Sequence, residues 1–189
     1  RILGYYSAVD AFPTEAQTYS NEHEMFVLNG RKPIGTLAYF STLVHEFRHM
    51  VEVSYDRNED DWESDGTATM AQLLAGDTEG PASRARGYFQ DLDLQLNAWT
   101  SPNSHAHYGK GYVFSRYLFD RFGERFYSAW VQHPEAGLRS VQAVLQDQGY
   151  ALDVLDLWQE YTVALALLGE PVRVAPYAFS PDFGSEVPL

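Results

Sequence analysis

The architecture turns on Thr36-Leu37-Ala38-Tyr39-Phe40-Ser41-Thr42-Leu43-Val44-His45-Glu46-Phe47-Arg48-His49-Met50-Val51-Glu52-Val53. Its apolar residues Leu37, Phe40, Leu43, Val44, Phe47 and Met50 recur at intervals of three and four, which is the period of one helix face. The spacing predicts a buried helix over 36–53, entered after Pro33 and Gly35.

Working toward the N-terminus, 2–6 and 24–28 read as short strands, separated by a polar loop containing Pro13 and closed by Asn29-Gly30. Toward the C-terminus, an acidic loop over 56–61 leads into a helical pattern over 62–74 that Gly76 stops. Gly80-Pro81 and Pro102-Asn103 bracket a third helix at about 83–96. A fourth covers 108–122, with Gly123 as its C-terminal cap. Further periodic runs occupy 125–132, 138–146 and 154–168, and Pro171, Pro176, Pro181 and Pro188 then imply an extended tail. Strands first and helices afterwards make the class α+β: a small N-terminal sheet packed on one helix, then a mainly helical lobe. The whole of 1–189 reads as a single catalytic domain, with the sheet and first two helices in 1–76, the helical lobe in 77–170 and the tail in 171–189.

Composition narrows the function classes. With 13 Tyr, 11 Phe and 45% hydrophobic residues among 189, the chain has the makings of a packed core. A net charge of -13, with its 13 Lys and Arg scattered, argues against a nucleic-acid partner or an anionic membrane surface. Without cysteine there is neither a disulfide nor a thiolate site, so a metal must use His and carboxylates. No apolar run is long enough for a membrane span. The start at Arg1 inside a strand-like segment reads as a processed piece of a longer precursor, and a secreted or extracytoplasmic location is expected.

The chemistry lies in His45-Glu46-Phe47-Arg48-His49. Four helical residues advance about 6 Å and 40°, so His45 and His49 project side by side and can grip one ion. Glu46 points about 100° away from His45, missing the ion but able to reach a water beside it. That is the place of a general base in zinc-dependent hydrolysis. A catalytic zinc takes three protein ligands. The candidate for the third is Asp65, in Trp62-Glu63-Ser64-Asp65-Gly66-Thr67-Ala68, with Glu63, Glu59 and Glu52 as substitutes. The acidic run around Asp56 to Asp61 lacks the spacing and glycine of a calcium loop and reads as a solvated segment.

The pairing of H-E-x-x-H with W-x-x-(acid)-G-x-A resembles the gluzincin metallopeptidases, most nearly the hyicolysin-like family, over about 24–158. The resemblance implies a zincin-like fold, a Zn2+ cofactor and hydrolysis of peptide bonds by a metal-activated water. It also implies Asp65 as third ligand, although Asp stands where the family pattern W-L-N-E-G has Glu and the loop between the motifs is shorter. An oxyanion donor is needed opposite the metal. Tyr108 is the choice, because Tyr108-Gly109-Lys110-Gly111 resembles the Tyr-x-Lys-Gly of gluzincin aminopeptidases; His105 and His107 are alternatives. The flanking glycines are expected to let substrate backbone approach. A peptide or protein substrate is expected to add to an edge strand over 24–28. With no G-x-M-E-N sequence in the chain, endopeptidase is favoured over aminopeptidase. A catalytically inactive fold that binds peptides is the other alternative.

Overall fold

A computed structural model describes residues 2–99, 103–171 and 174–187. Arg1, Pro102 and Pro188, landmarks above, lie outside the described residues. Strands β1 (Gly4–Tyr6) and β2 (Phe26–Leu28) pair antiparallel, with Gly4 opposite Leu28 and Tyr6 opposite Phe26. The connection between them folds through a 3₁₀ turn at Ala8–Ala11. There buried Asp10 accepts hydrogen bonds from the backbone and side-chain nitrogens of Asn21, at 3.0 and 2.7 Å.

This sheet lies on helix α1 (Leu37–Tyr55), which Thr36 caps by accepting from the Tyr39 amide at 3.3 Å. Contact is close at Gly4, where a Cβ would stand 2.8 Å from both Leu28 Cδ2 and Thr42 Cγ2, so a larger residue would make these side chains shift. The helix is where the apolar period predicts it, but the apolar stripe does not form its buried face: Leu43, Val44 and Met50 are only half-buried. Leu37, Phe40 and Phe47 are 56%, 51% and 49% exposed, whereas Ser41, Thr42, His45, Glu46 and Glu52 are buried. The polar face turns inward because its groups find partners there, on the sheet and on the following helix.

That helix, α2 (Asp61–Leu74), drives Trp62 into the core, stacked on Trp130 at 6.2 Å and edge-on to Phe114 at 5.5 Å. Emptying such a site by substitution to Ala costs about 3–5 kcal/mol. Helix α3 (Glu79–Phe89) begins earlier than expected, since Pro81 falls in the first turn, where its missing N–H is not needed. The Asp77 carboxylate accepts from the Gly80 amide at 3.0 Å at this start. The helix also ends earlier, at Phe89 rather than near residue 96.

Helix α4 (Ser104–Trp130) is the central rod, broken at Gly123 (φ 78°, ψ -179°), in a region glycine adopts readily. Two backbone crossings fix it. A Cβ on Gly66 of α2 would meet the Gly111 carbonyl carbon at 2.5 Å, and one on Gly111 would meet the Trp62 oxygen at 2.3 Å. A Cβ on Gly109 would meet the Arg84 carbonyl oxygen of α3 at 2.0 Å. Gly109 and Gly111 therefore serve helix packing, and not the approach of a substrate backbone as expected.

Helices α5 (Leu138–Asp147) and α6 (Val154–Ala166) complete the core around Phe114, Tyr117 and Tyr161. The tail, expected to be extended, contains helix α7 (Pro181–Glu186), with Phe179, Phe183 and Val187 buried. Ser180 ties it to α4 by donating its amide to Asp120 at 2.9 Å and accepting from Arg116 at 2.7 Å. The architecture is thus a small two-stranded sheet on α1 followed by a mainly helical lobe. No helix among the described residues is long and apolar enough to cross a membrane.

Candidate metal centre

His45 and His49 stand one turn apart on α1, their rings 4.8 Å between centroids and nearly perpendicular at 85°. Asp65 reaches them from the second turn of α2. Its Oδ1 lies 3.2 Å from His45 Nε2 and 3.5 Å from His49 Nε2, and the two Nε2 atoms are 3.3 Å apart. Ligand atoms at about 2.0–2.1 Å around a tetrahedral ion are separated by about 3.3 Å. The three edges match that tetrahedron, and this is the one group of three or more His, Cys, Asp or Glu able to hold a metal ion among the described residues.

Surrounding groups prepare the donors. Ser64 donates its hydroxyl to Glu52 Oε1 at 2.7 Å, so across the 3.0 Å contact with His49 it accepts from Nδ1–H. The His49 tautomer is thereby fixed with the Nε2 lone pair toward Asp65 and His45. Arg48 holds Glu52 from the other side, Nη1 donating to Oε2 at 3.0 Å. His45 is 6% exposed, and burial lowers its pKa, which keeps its imidazole neutral and able to ligate. Burial also acts to lower His49, but hydrogen bonding to Asp65 and the charges of Asp65, Glu52 and Glu46 raise it overall. Burial tends to raise Asp65, and hydrogen bonds from both histidines bring it below its ordinary value.

Beside this group opens a cleft of about 430 Å³, walled by Ile2, Leu3 and Gly4 at the sheet, Thr42, His45 and Glu46 of α1, and Tyr108 of α4. Glu46 Oε2 accepts from the Tyr6 amide at 3.0 Å, and burial, its largest influence, raises its pKa. Tyr108 lies 6.0 Å from the His45 ring and stacks edge-on against Trp99 at 5.0 Å. Burial, reinforced by Asp65 and Glu46, pushes its phenol up to about 12, so it remains a hydrogen-bond donor.

The other sequence candidates fall elsewhere. His105 reaches the cleft, but its Nε2 donates to the Ser83 carbonyl at 3.1 Å. His107 is buried under Trp99, ring centroids 5.5 Å apart, and does not line the cleft. Glu63 points away from the metal group, accepting from the Ser140 hydroxyl at 2.9 Å and from the Gly137 amide. Glu52 belongs to the support of His49. The strand along the cleft is β1, not 24–28. In the observed register Leu3 O receives the Asn29 amide, which leaves the N–H and C=O of Gly4 on the edge away from β2. Three groups carried no sequence signal: the Tyr6 amide, Gln72 and Arg84, the last two lining the cleft from α2 and α3. Ser64 sat in plain view inside the second motif, but its partner His49 is fifteen residues away.

No protein-family model matches the chain, and no curated protein is similar to it.

Proposed function

We propose that the protein is a zinc-dependent endopeptidase. The observation that carries the reading is the tetrahedral spacing of His45 Nε2, His49 Nε2 and Asp65 Oδ1 beside a cleft walled by Glu46 and Tyr108. Two imidazoles and a carboxylate form a donor set that suits zinc, with room for a fourth position on the cleft side. When bound, zinc supplies Lewis acidity, which polarises a carbonyl and lowers the pKa of water.

The chain's own residues do the remainder. The free edge of β1 offers Gly4 N–H and C=O to an extended peptide, which holds the substrate backbone beside Glu46. Glu46, with Oε2 held by the Tyr6 amide, takes the proton of the attacking water on its other oxygen and returns it to the leaving amine. Tyr108 Oη donates to the carbonyl oxygen as negative charge grows on it. Desolvation keeps that hydroxyl protonated throughout the neutral range. The buried setting of His45 and Glu46 strengthens these polar interactions relative to water.

The test is metal analysis of the purified protein, together with mapping of its cleavage sites on an unstructured protein with and without chelator. Stoichiometric zinc and chelator-sensitive internal cleavage are expected. Zinc without cleavage of any unfolded substrate would point instead to a peptide-binding module, and absence of metal would remove both readings.

A further inference from the structure

Arg84 is a cation without a counter-ion in contact. Its Nη1 donates to two neutral oxygens, Thr69 Oγ1 at 2.5 Å and Gln72 Oε1 at 2.7 Å, and no carboxylate forms an ion pair with it among the described residues. The guanidinium carbon sits 4.7 Å from the centroid of the Tyr108 ring, and the side chain lines the cleft. The same ring lies 6.0 Å from that of His45. Taking a charge partly out of water without pairing it is unfavourable, so such a group invites an explanation.

The surrounding hydrogen bonds hold Arg84 in place without neutralising it. Asp77 accepts from the Ser41 hydroxyl. Ser41 in turn accepts from Gln72 Nε2, 2.7 Å at Oγ and 3.1 Å at its backbone oxygen. With its amide nitrogen so committed, Gln72 must turn its oxygen to Arg84. Gln72 and Asp77 are 5% and 8% exposed, so this relay is a built element of the wall. It fixes Nη1, and among the described residues Nε and Nη2 form no hydrogen bond, so that fork of donors remains for a group in the cleft that Arg84 lines. A fork of this kind matches a carboxylate.

We infer that Arg84 anchors a carboxylate of the substrate, so that the cleft selects peptides bearing an acidic side chain or a terminal carboxylate near the bond to be broken. The inference rests on the peptidase reading above for its substrate class. An extended peptide advances about 3.3–3.6 Å per residue, so a group that shares the Tyr108 ring with His45, 4.7 and 6.0 Å from its centroid, meets a residue within about three positions of the reacting carbonyl. Among the described residues that line the cleft, Glu46 is the one carboxylate and Arg84 the one permanent cation.

The experiment uses metal-loaded protein and a matched peptide set around one mapped cleavage site. Each flanking position carries Glu or Gln, and each peptide is made with a free or an amidated C-terminus. Binding is measured by anisotropy to the Glu46→Gln variant, and turnover by the wild type. One carboxylate position is expected to bind about ten-fold or more tightly than its amide counterpart. Side-chain dependence identifies an acidic residue, and dependence on the free terminus identifies a carboxyl end. Arg84→Gln should bring the ratio close to one, while Arg84→Lys keeps part of it. If Arg84→Gln does not fold, the wild-type and Glu46→Gln ratios still decide. Equal binding of all Glu and Gln peptides, free and amidated, overturns the inference and leaves the peptidase reading intact. A carboxylate preference that persists unchanged in Arg84→Gln overturns the inference in the same way.

Discussion

The backbone N–H of Tyr6 donates to Oε2 of Glu46 at 3.0 Å, so the strand that walls the cleft also holds the carboxylate beside the metal group. One oxygen is thereby oriented by the sheet, and in the proposed mechanism proton transfer falls to the other. Glu46→Gln keeps an oxygen for the Tyr6 amide but removes the base. Metal content should stay at the wild-type level while kcat falls by about 10²–10⁴-fold. A variant that cleaves at the wild-type rate would take Glu46 out of the mechanism.

Metal affinity should depend on a carboxylate and a hydroxyl of neighbouring residues in different ways. Asp65→Ala removes a ligand, and zinc content after dialysis should drop strongly. Ser64→Ala leaves every ligand but frees the His49 tautomer, and should weaken zinc by about 10–100-fold in competition with a chromogenic chelator. Glu63→Ala should leave zinc unchanged; if it abolished binding, the ligand assignment would have to move.

In the proposed mechanism the Tyr108 hydroxyl acts in the transition state rather than in binding. Tyr108→Phe keeps the ring against Trp99 and Arg84. It should lower kcat by about 10²–10³-fold with little change in KM. Steady-state kinetics on one peptide suffice, and an unaltered kcat would exclude the phenol.

Glu63, 1% exposed, has a pKa raised well above the ordinary carboxylate range by burial and then by neighbouring Glu59. The folded state therefore holds a proton that the unfolded chain releases at about pH 4.3. This contribution to stability is complete below that pH and is lost as pH rises toward the folded-state value. Glu63→Gln mimics the protonated acid, its amide able to donate toward Glu59, so its melting temperature should fall less than the wild type's between about pH 6 and about pH 9. For a chain of this size each kcal/mol corresponds to about 2–4 °C, within reach of a calorimetric scan. Identical pH slopes would show that Glu63 is ionised in the fold.

Local signals carried much of this molecule. The helical period around His45 and His49, the stop at Gly123 and the order of strands before helices were all legible, because each depends on residues close in sequence. What the period could not give was direction. On α1 the apolar stripe is half-buried to exposed while polar residues take the buried face, since they had partners waiting on β1 and α2 that no local pattern announces. The early start of α3 was hidden because Pro81 reads as a breaker although a first turn tolerates it. The support of the metal group was half visible: the need for a third ligand followed from ligand arithmetic and the motif resemblance implied Asp65, but Ser64, Gln72 and Arg84 are ordinary polar residues until the fold sets them beside His49, Ser41 and Tyr108. The cleft strand was misassigned for a related reason, as only the hydrogen-bond register tells which edge of a two-stranded sheet is free.

The contact of Gly66 with Gly111 has a bearing on how the site can change over time. Asp65 adjoins one of these glycines, and Tyr108 lies one helical turn from the other. The spacing between ligand and phenol is therefore gauged by two peptide backbones in direct contact, whereas most distances in a protein interior are gauged by side chains that can be exchanged and repacked. Core substitutions elsewhere can accumulate without loosening that spacing. Even alanine at either glycine would wedge α2 and α4 apart, so inheritance of the site is tied to two residues that take no part in its chemistry.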